Sequence, residues 1–190
     1  MKATNSGRLR IIDDCFISIP VSSDNPYLIS MRSLPDISDS KQSTHNSENI
    51  IGRSFPMYTF SHSGDRQISI QLHFFVTDDI DAQRNLQDLR ALQSCAYPRR
   101  GNGGAPYMPP MICTIQCGDL LGKEPICCVL QSYNVRFPTE VAWYEGEFSL
   151  SDDPVEGKYC PYRFDVDTSW LVVYTSSELP YQDRIFISGR

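Results

Sequence analysis

Arg66-Gln67-Ile68-Ser69-Ile70-Gln71-Leu72-His73-Phe74-Phe75-Val76-Thr77-Asp78-Asp79 changes its hydrophobic period part-way, and that change decides the fold. Up to Val76 the residues alternate strictly. Ile68, Ile70, Leu72 and Phe74 face one way, and Gln67, Ser69, Gln71 and His73 face the other. Alternation of this kind predicts a strand with one face in a core and one face wet. Thr77 and Asp78 then supply helix N-cap chemistry, and Asp79 and Asp81 place negative charge where a helix dipole favours it. From there the period becomes that of a helix. Leu86, Leu89 and Leu92, with Ala82 or Ala96, form one apolar stripe, and Arg84, Gln87, Asp88 and Arg90 lie off it. Tyr97-Pro98 stops the helix, which is predicted over 78–96.

Aromatic-rich Ser54 to Ser61 predicts a strand, and Ser61 to Asp65 a turn joining it to the first one as a β-hairpin. Asp36 to Asn49 is too polar to bury anything and predicts a long loop or mobile arm. Before it, Leu9 to Val21 and Tyr27 to Met31 read as β segments. Past the helix, Arg99 to Ala105 is a Gly-rich loop without the Gly-Lys-Ser/Thr ending of a P-loop. Met111 to Cys117 reads as a strand, Gly118 to Lys123 as a turn and Ile126 to Phe137 as a longer strand. Pro138 to Lys158 is a second polar excursion. Cys160 to Thr175 reads as one long strand, with Phe164, Val166, Thr168, Trp170, Val172 and Tyr174 on one face. Arg184 to Ile187 predicts a short edge strand. The fold class expected is mainly β with one flanking helix.

Composition narrows the function. The chain has 190 residues, 17 Lys and Arg against 23 Asp and Glu, and a net charge of -6. Holding duplex DNA through its phosphates needs clustered cations, and the basic residues here are scattered. No apolar run reaches the ~20 residues of a membrane span. No signal-peptide core follows Met1, so assembly in a cytoplasm is expected. Seven cysteines cannot all pair within one subunit.

Cys113 and Cys117 have zinc-like spacing, but on one strand they stand about 13 Å apart, too far to share an ion or a disulfide. Cys127 and Cys128 point to opposite faces of theirs. A disulfide joining Cys113 or Cys117 to Cys127 or Cys128 across the hairpin is geometrically allowed. The candidates for a disulfide or an inter-subunit crosslink are Cys15, Cys113, Cys117, Cys127, Cys128 and Cys160. His45, His62 and His73 fall in a polar loop, a turn and a wet strand face, and no Gly-x-Ser-x-Gly elbow is present. The expectation is no catalytic residue, no metal and no cofactor.

Taken in order, the hairpin from Phe55 to Val76, the helix with Asp88-Leu89 and Leu92 ending in Tyr97-Pro98, and Pro109-Pro110 form the first half of a pattern. Gly118-Asp119-Leu120-Leu121-Gly122, then Cys128-Val129-Leu130-Gln131-Ser132-Tyr133-Asn134-Val135-Arg136-Phe137, and the late strand Pro161 to Tyr174 complete it. Over residues 50–176 this pattern resembles the tube-initiator and baseplate-hub adaptor proteins of contractile phage tails, which share the tail-tube fold. The resemblance implies a β-sandwich or barrel-like subunit flanked by a helix, with residues 1–49 as an N-terminal β segment plus mobile arm and residues 50–190 as the tail-tube-like domain. It implies a homohexameric ring in the virion that joins the central hub to the tail tube, initiates the tube and passes DNA without specific binding. Other tail rings (tube, neck or terminator) remain open. So do a monomeric β-rich binding or adaptor domain and a hydrolase using Cys and His.

Overall fold

The computed structural model describes residues 15–21, 26–31, 33, 35–100, 107–118, 120–122, 125–150 and 153–173. The expectations for Leu9 to Asp14, for Tyr174 and for the strand at Arg184 to Ile187 lie outside them. The elements are β1 (Cys15–Ile19), β2 (Tyr27–Ser30), β3 (Asp36–Glu48), β4 (Met57–Phe75), α1 (Asp79–Cys95), β5 (Arg99–Arg100), β6 (Tyr107–Met108), β7 (Ile112–Cys117), β8 (Ile126–Arg136), β9 (Trp143–Leu150), β10 (Asp153–Pro161) and β11 (Arg163–Val172). Among the described residues the fold is mainly β with one helix, as the sequence predicts.

Seven strands form one open antiparallel sheet in the order β2-β1-β7-β8-β11-β4-β3. The alternation of β4 and β11 works as expected. Ile68, Ile70, Leu72 and Phe74 pack with Phe164, Val166, Thr168 and Trp170 on the inner face. Phe74 and Phe164 stack with ring centroids 4.8 Å apart. Trp170 donates its indole N–H to the Thr168 hydroxyl at 2.8 Å, which in turn donates to the Ile70 carbonyl at 2.8 Å. A buried polar pair is thereby satisfied inside an apolar layer.

α1 lies on this inner face, within a residue of the bounds its sequence predicts. The Asp78 backbone is extended, and its carboxylate accepts from the Asp81 amide at 2.8 Å. Asp78→Ala should cost about 0.5–2 kcal/mol of stability, read as a lower urea midpoint. Ala82, Leu89 and Leu92 of the stripe are buried and Leu86 is half-buried, but Asp81, Asn85, Asp88 and Cys95, which the stripe does not include, are buried too. Asp88 therefore does not lie off the packed face. It accepts from the Tyr27 hydroxyl at 2.7 Å, and Asn85 donates to the Phe75 carbonyl at 2.8 Å. The helix is held partly through polar tethers to β2 and the end of β4, which an apolar stripe cannot reveal. Its outer side packs against β9, where Tyr144 donates to the Asp79 carboxylate at 2.8 Å.

Three expectations are corrected. Residues 36–48 are not a loop but strand β3, paired along its length with β4. A ribbon needs a hydrogen-bonding partner rather than burial, so a Ser-rich polar segment can form one. Ser61 to Asp65 is not a turn either, because β4 continues through it. Between the pairs Lys41↔Arg66 and Ser43↔Ser63, β4 advances three residues while β3 advances two, and a second shift follows at Thr44/His45. Both are β-bulges, which absorb the extra residues and twist the strand. Gly64 belongs to the first, where an added Cβ would stand 3.1 Å from the Gln42 carbonyl oxygen. The hairpin partner of β4 is thus β3, joined through residues 49–56. Lastly, Cys160 to Thr175 is not one strand. It breaks at Tyr162, dividing β10 from β11, and β10 pairs with β9 as a separate hairpin within the second polar excursion.

Candidate functional site

The outer face of β3, β4, β11 and β8 is a broad polar surface. Gln67, Ser69, Gln71 and His73 sit beside Asp165, Asp167 and Ser169, with Asp36 and Ser38 on one flank and Ser132, Asn134 and Arg136 on the other. Its cations are matched locally. Arg136 pairs with Asp167 at 3.2 Å, and Asp165 meets His73 at 2.6 Å and Arg163 at 3.4 Å. Such a face does not offer the unmatched cations that grip phosphates.

Burial works against ionised Asp165, but the His73 hydrogen bond and the Arg163 guanidinium outweigh it and hold the carboxyl below its ordinary value. A lowered folded-state value adds stability above the unfolded carboxylate range near pH ~4, and that contribution is lost as pH falls through the folded value. Asp165→Asn should therefore lower the urea midpoint at pH 7 and flatten its fall between pH 5 and 2. An unchanged acid limb would contradict this assignment.

The polar surface continues into a ribbon. Arg66, only 8% exposed, closes the inner core by a forked pair with Asp39, its Nε 2.9 Å from Oδ1 and its Nη2 2.5 Å from Oδ2. Beyond this pair β3 and β4 run on as two exposed strands. Eight residues, Lys41 to Glu48, carry the ribbon about 25 Å outward at ~3.3 Å per residue. Its end is apolar, with Ile50, Ile51, Phe55, Met57, Tyr58 and Phe60 all exposed. Contiguous exposed apolar groups on a projecting element mark a contact surface. The sheet also has open edges. Among the described residues, β2 and β3 each keep one unpaired side, as do the outermost strands of any open sheet.

The thiols lie elsewhere. All seven cysteines are free of disulfides; Cys127 is half-buried and the other six are buried. Burial raises Cys117 and Cys128 to about 12 and Cys160 to about 11. Cys113 does face Cys128 across β7 and β8, as the hairpin reading allows, and Cys15 faces Cys117 across β1 and β7. Cys113 also meets Cys95, a contact that sequence reasoning missed. Their Sγ atoms are 3.7 Å apart. His73 lies on the outer face with Asp165, while Cys127 neighbours the Val172 end of β11. Seven residues of strand separate those positions, about 23 Å, so these two side chains form no dyad.

Two depressions bear on ligands. One, between β2, β4 and α1 beside Arg84 and Asp88, has a volume of about 20 Å³, room for one water and no cofactor. The other is a shallow trough on the outer face where Ser38 and Ser69 leave space between Asp36, Gln71 and Asp167. Among the described residues no three His, Cys, Asp or Glu side chains converge as metal ligands. No family model matches this chain, and no curated protein matches it in sequence.

Proposed function

We propose that this chain is a virion structural protein: a ring-forming tail or baseplate subunit that joins the central hub to the tail tube and initiates the tube. The observation that carries the reading is the open sheet, packed on one face, polar on the other, and extended by a ribbon with an apolar end. A polar face of this kind suits the wall of a water-filled channel. Its matched ion pairs and the chain's net charge of -6 suit passage of DNA without adhesion. The free edges of β2 and β3 allow one subunit's sheet to continue into the next, in a ring of six by the tail-tube resemblance. The subunit itself is then sandwich-like, with α1 and the β9–β10 hairpin as the layer opposite the sheet. The ribbon would reach beyond its own subunit to cover its apolar end against a neighbour or a hub protein.

Sedimentation velocity of the purified chain, alone and mixed with hub and tube proteins, tests this reading. A discrete species of about six chains, or incorporation into a hub-bound ring, is the expected result. A concentration-independent monomer that binds neither component would overturn it and favour a monomeric adaptor.

A further inference from the structure

We propose that Cys95 and Cys113 form a paired oxidation site, closing to a disulfide between the end of α1 and the start of β7 when a hydroperoxide reaches them. The inference is independent of the assembly reading. It rests on two sulfurs 3.7 Å apart with both side chains fully buried. Bond formation requires them to approach to about 2.05 Å.

Two other thiol pairs are juxtaposed, and Cys15 and Cys117 also share a side-chain hydrogen bond. Cys113/Cys128 and Cys15/Cys117 are opposite residues on paired strands. Opposite residues on antiparallel strands generally keep their Cβ atoms about 4.5–5.5 Å apart, while a disulfide needs roughly 3.5–4.5 Å. Cys95 has no such restraint. It is the last residue of α1, one before the Ala96 cap, and helix ends open more readily than sheet centres. Opening there also gives a small uncharged oxidant its path. The roles of the two thiols differ. Cys113 donates toward Cys95, and this hydrogen bond lowers Cys95 against the effect of burial while Cys113 itself is raised. Cys95 is accordingly the thiol that ionises and attacks first.

In the first step the Cys95 thiolate attacks one peroxide oxygen, the O–O bond breaks, and the departing hydroxide takes up a proton as water. Cys95 is now a sulfenic acid. The Cys113 sulfur then attacks the Cys95 sulfur, the S–S bond forms, the S–O bond breaks, and the hydroxide leaves with the Cys113 proton as a second water. Two thiols lose two electrons and two protons, and one hydrogen peroxide is reduced to two waters.

The test treats the folded full chain with hydrogen peroxide, then denatures it in an alkylating agent and digests it with trypsin. Expected is a fall from seven alkylated thiols per chain to five, with peptide 91–99 joined to peptide 101–123. Fragment spectra must place the bond at Cys113 rather than Cys117, and Cys117→Ser must retain it. Cys95→Ser must abolish it. If that variant fails to fold, the Cys117→Ser result decides alone. The oxidised chain should also melt several degrees above the reduced one. Oxidation of Cys127 while Cys95 and Cys113 still alkylate would overturn the proposal. So would a bond running only through Cys15–Cys117 or Cys113–Cys128, or one formed only after denaturation.

Discussion

Trp170→Ala is expected to cost about 3–5 kcal/mol, the range for deleting a fully buried large aromatic. Trp170 has 0% exposure and lies on β11, between β8 and β4 in the middle of the sheet. Its removal leaves a void that strands paired on both sides cannot collapse to fill. It also removes the donor to Thr168, although Thr168 keeps its own bond to Ile70. For a chain of this length the thermal midpoint should fall by about 10 °C. Trp170→Phe, which keeps most of the volume and loses only the N–H, should cost less than half as much. Urea titration of both variants checks the pair. An alanine variant within 1 kcal/mol of the parent, on the order of an exposed-site change, would show that the core is not centred here.

The second large effect is on assembly rather than stability. Replacing residues 42–65 by a short Asn-Gly turn removes the ribbon beyond the Lys41↔Arg66 pair. Asn-Gly is the turn sequence that best matches strand twist. The Arg66–Asp39 pair that closes the core is retained, so the shortened chain should melt within a few degrees of the parent. What it loses is the apolar end from Ile50 to Phe60. If the full chain forms the rings proposed above, the shortened chain should remain a monomer at the same concentrations. Rings of unchanged size and stability would show that the ribbon makes no contact between subunits.

These two regions also mark what the sequence makes legible. Strict alternation exposes β4 and β11, because each has one face buried and one wet. The cap at Asp78 and the stop at Tyr97-Pro98 bound α1, because those signals are local. The ribbon was hidden because no burial pattern marks β3; only its pairing with β4 makes it a strand. The Ser61 to Asp65 segment carries turn chemistry, yet the structure uses it for bulges, since small and Gly residues serve both. The tether of Asp88 to Tyr27 joins residues 61 apart, and the Cys95–Cys113 contact joins a helix end to a strand. Neither has a local signature. The wet face was visible as a set of polar positions, but its matched charges depend on strand order, which alternation does not give.

The most direct test of the assembly account is cryo-electron microscopy of the purified chain and of particles that contain it. The account predicts six-fold rings. The outer faces of β4, β11 and β8 should line the channel, and β2 of one subunit should lie beside β3 of the next. Dispersed monomers together with particles lacking the chain would contradict it, as would a ring in which Gln71, Asp165 and Asp167 face away from the channel.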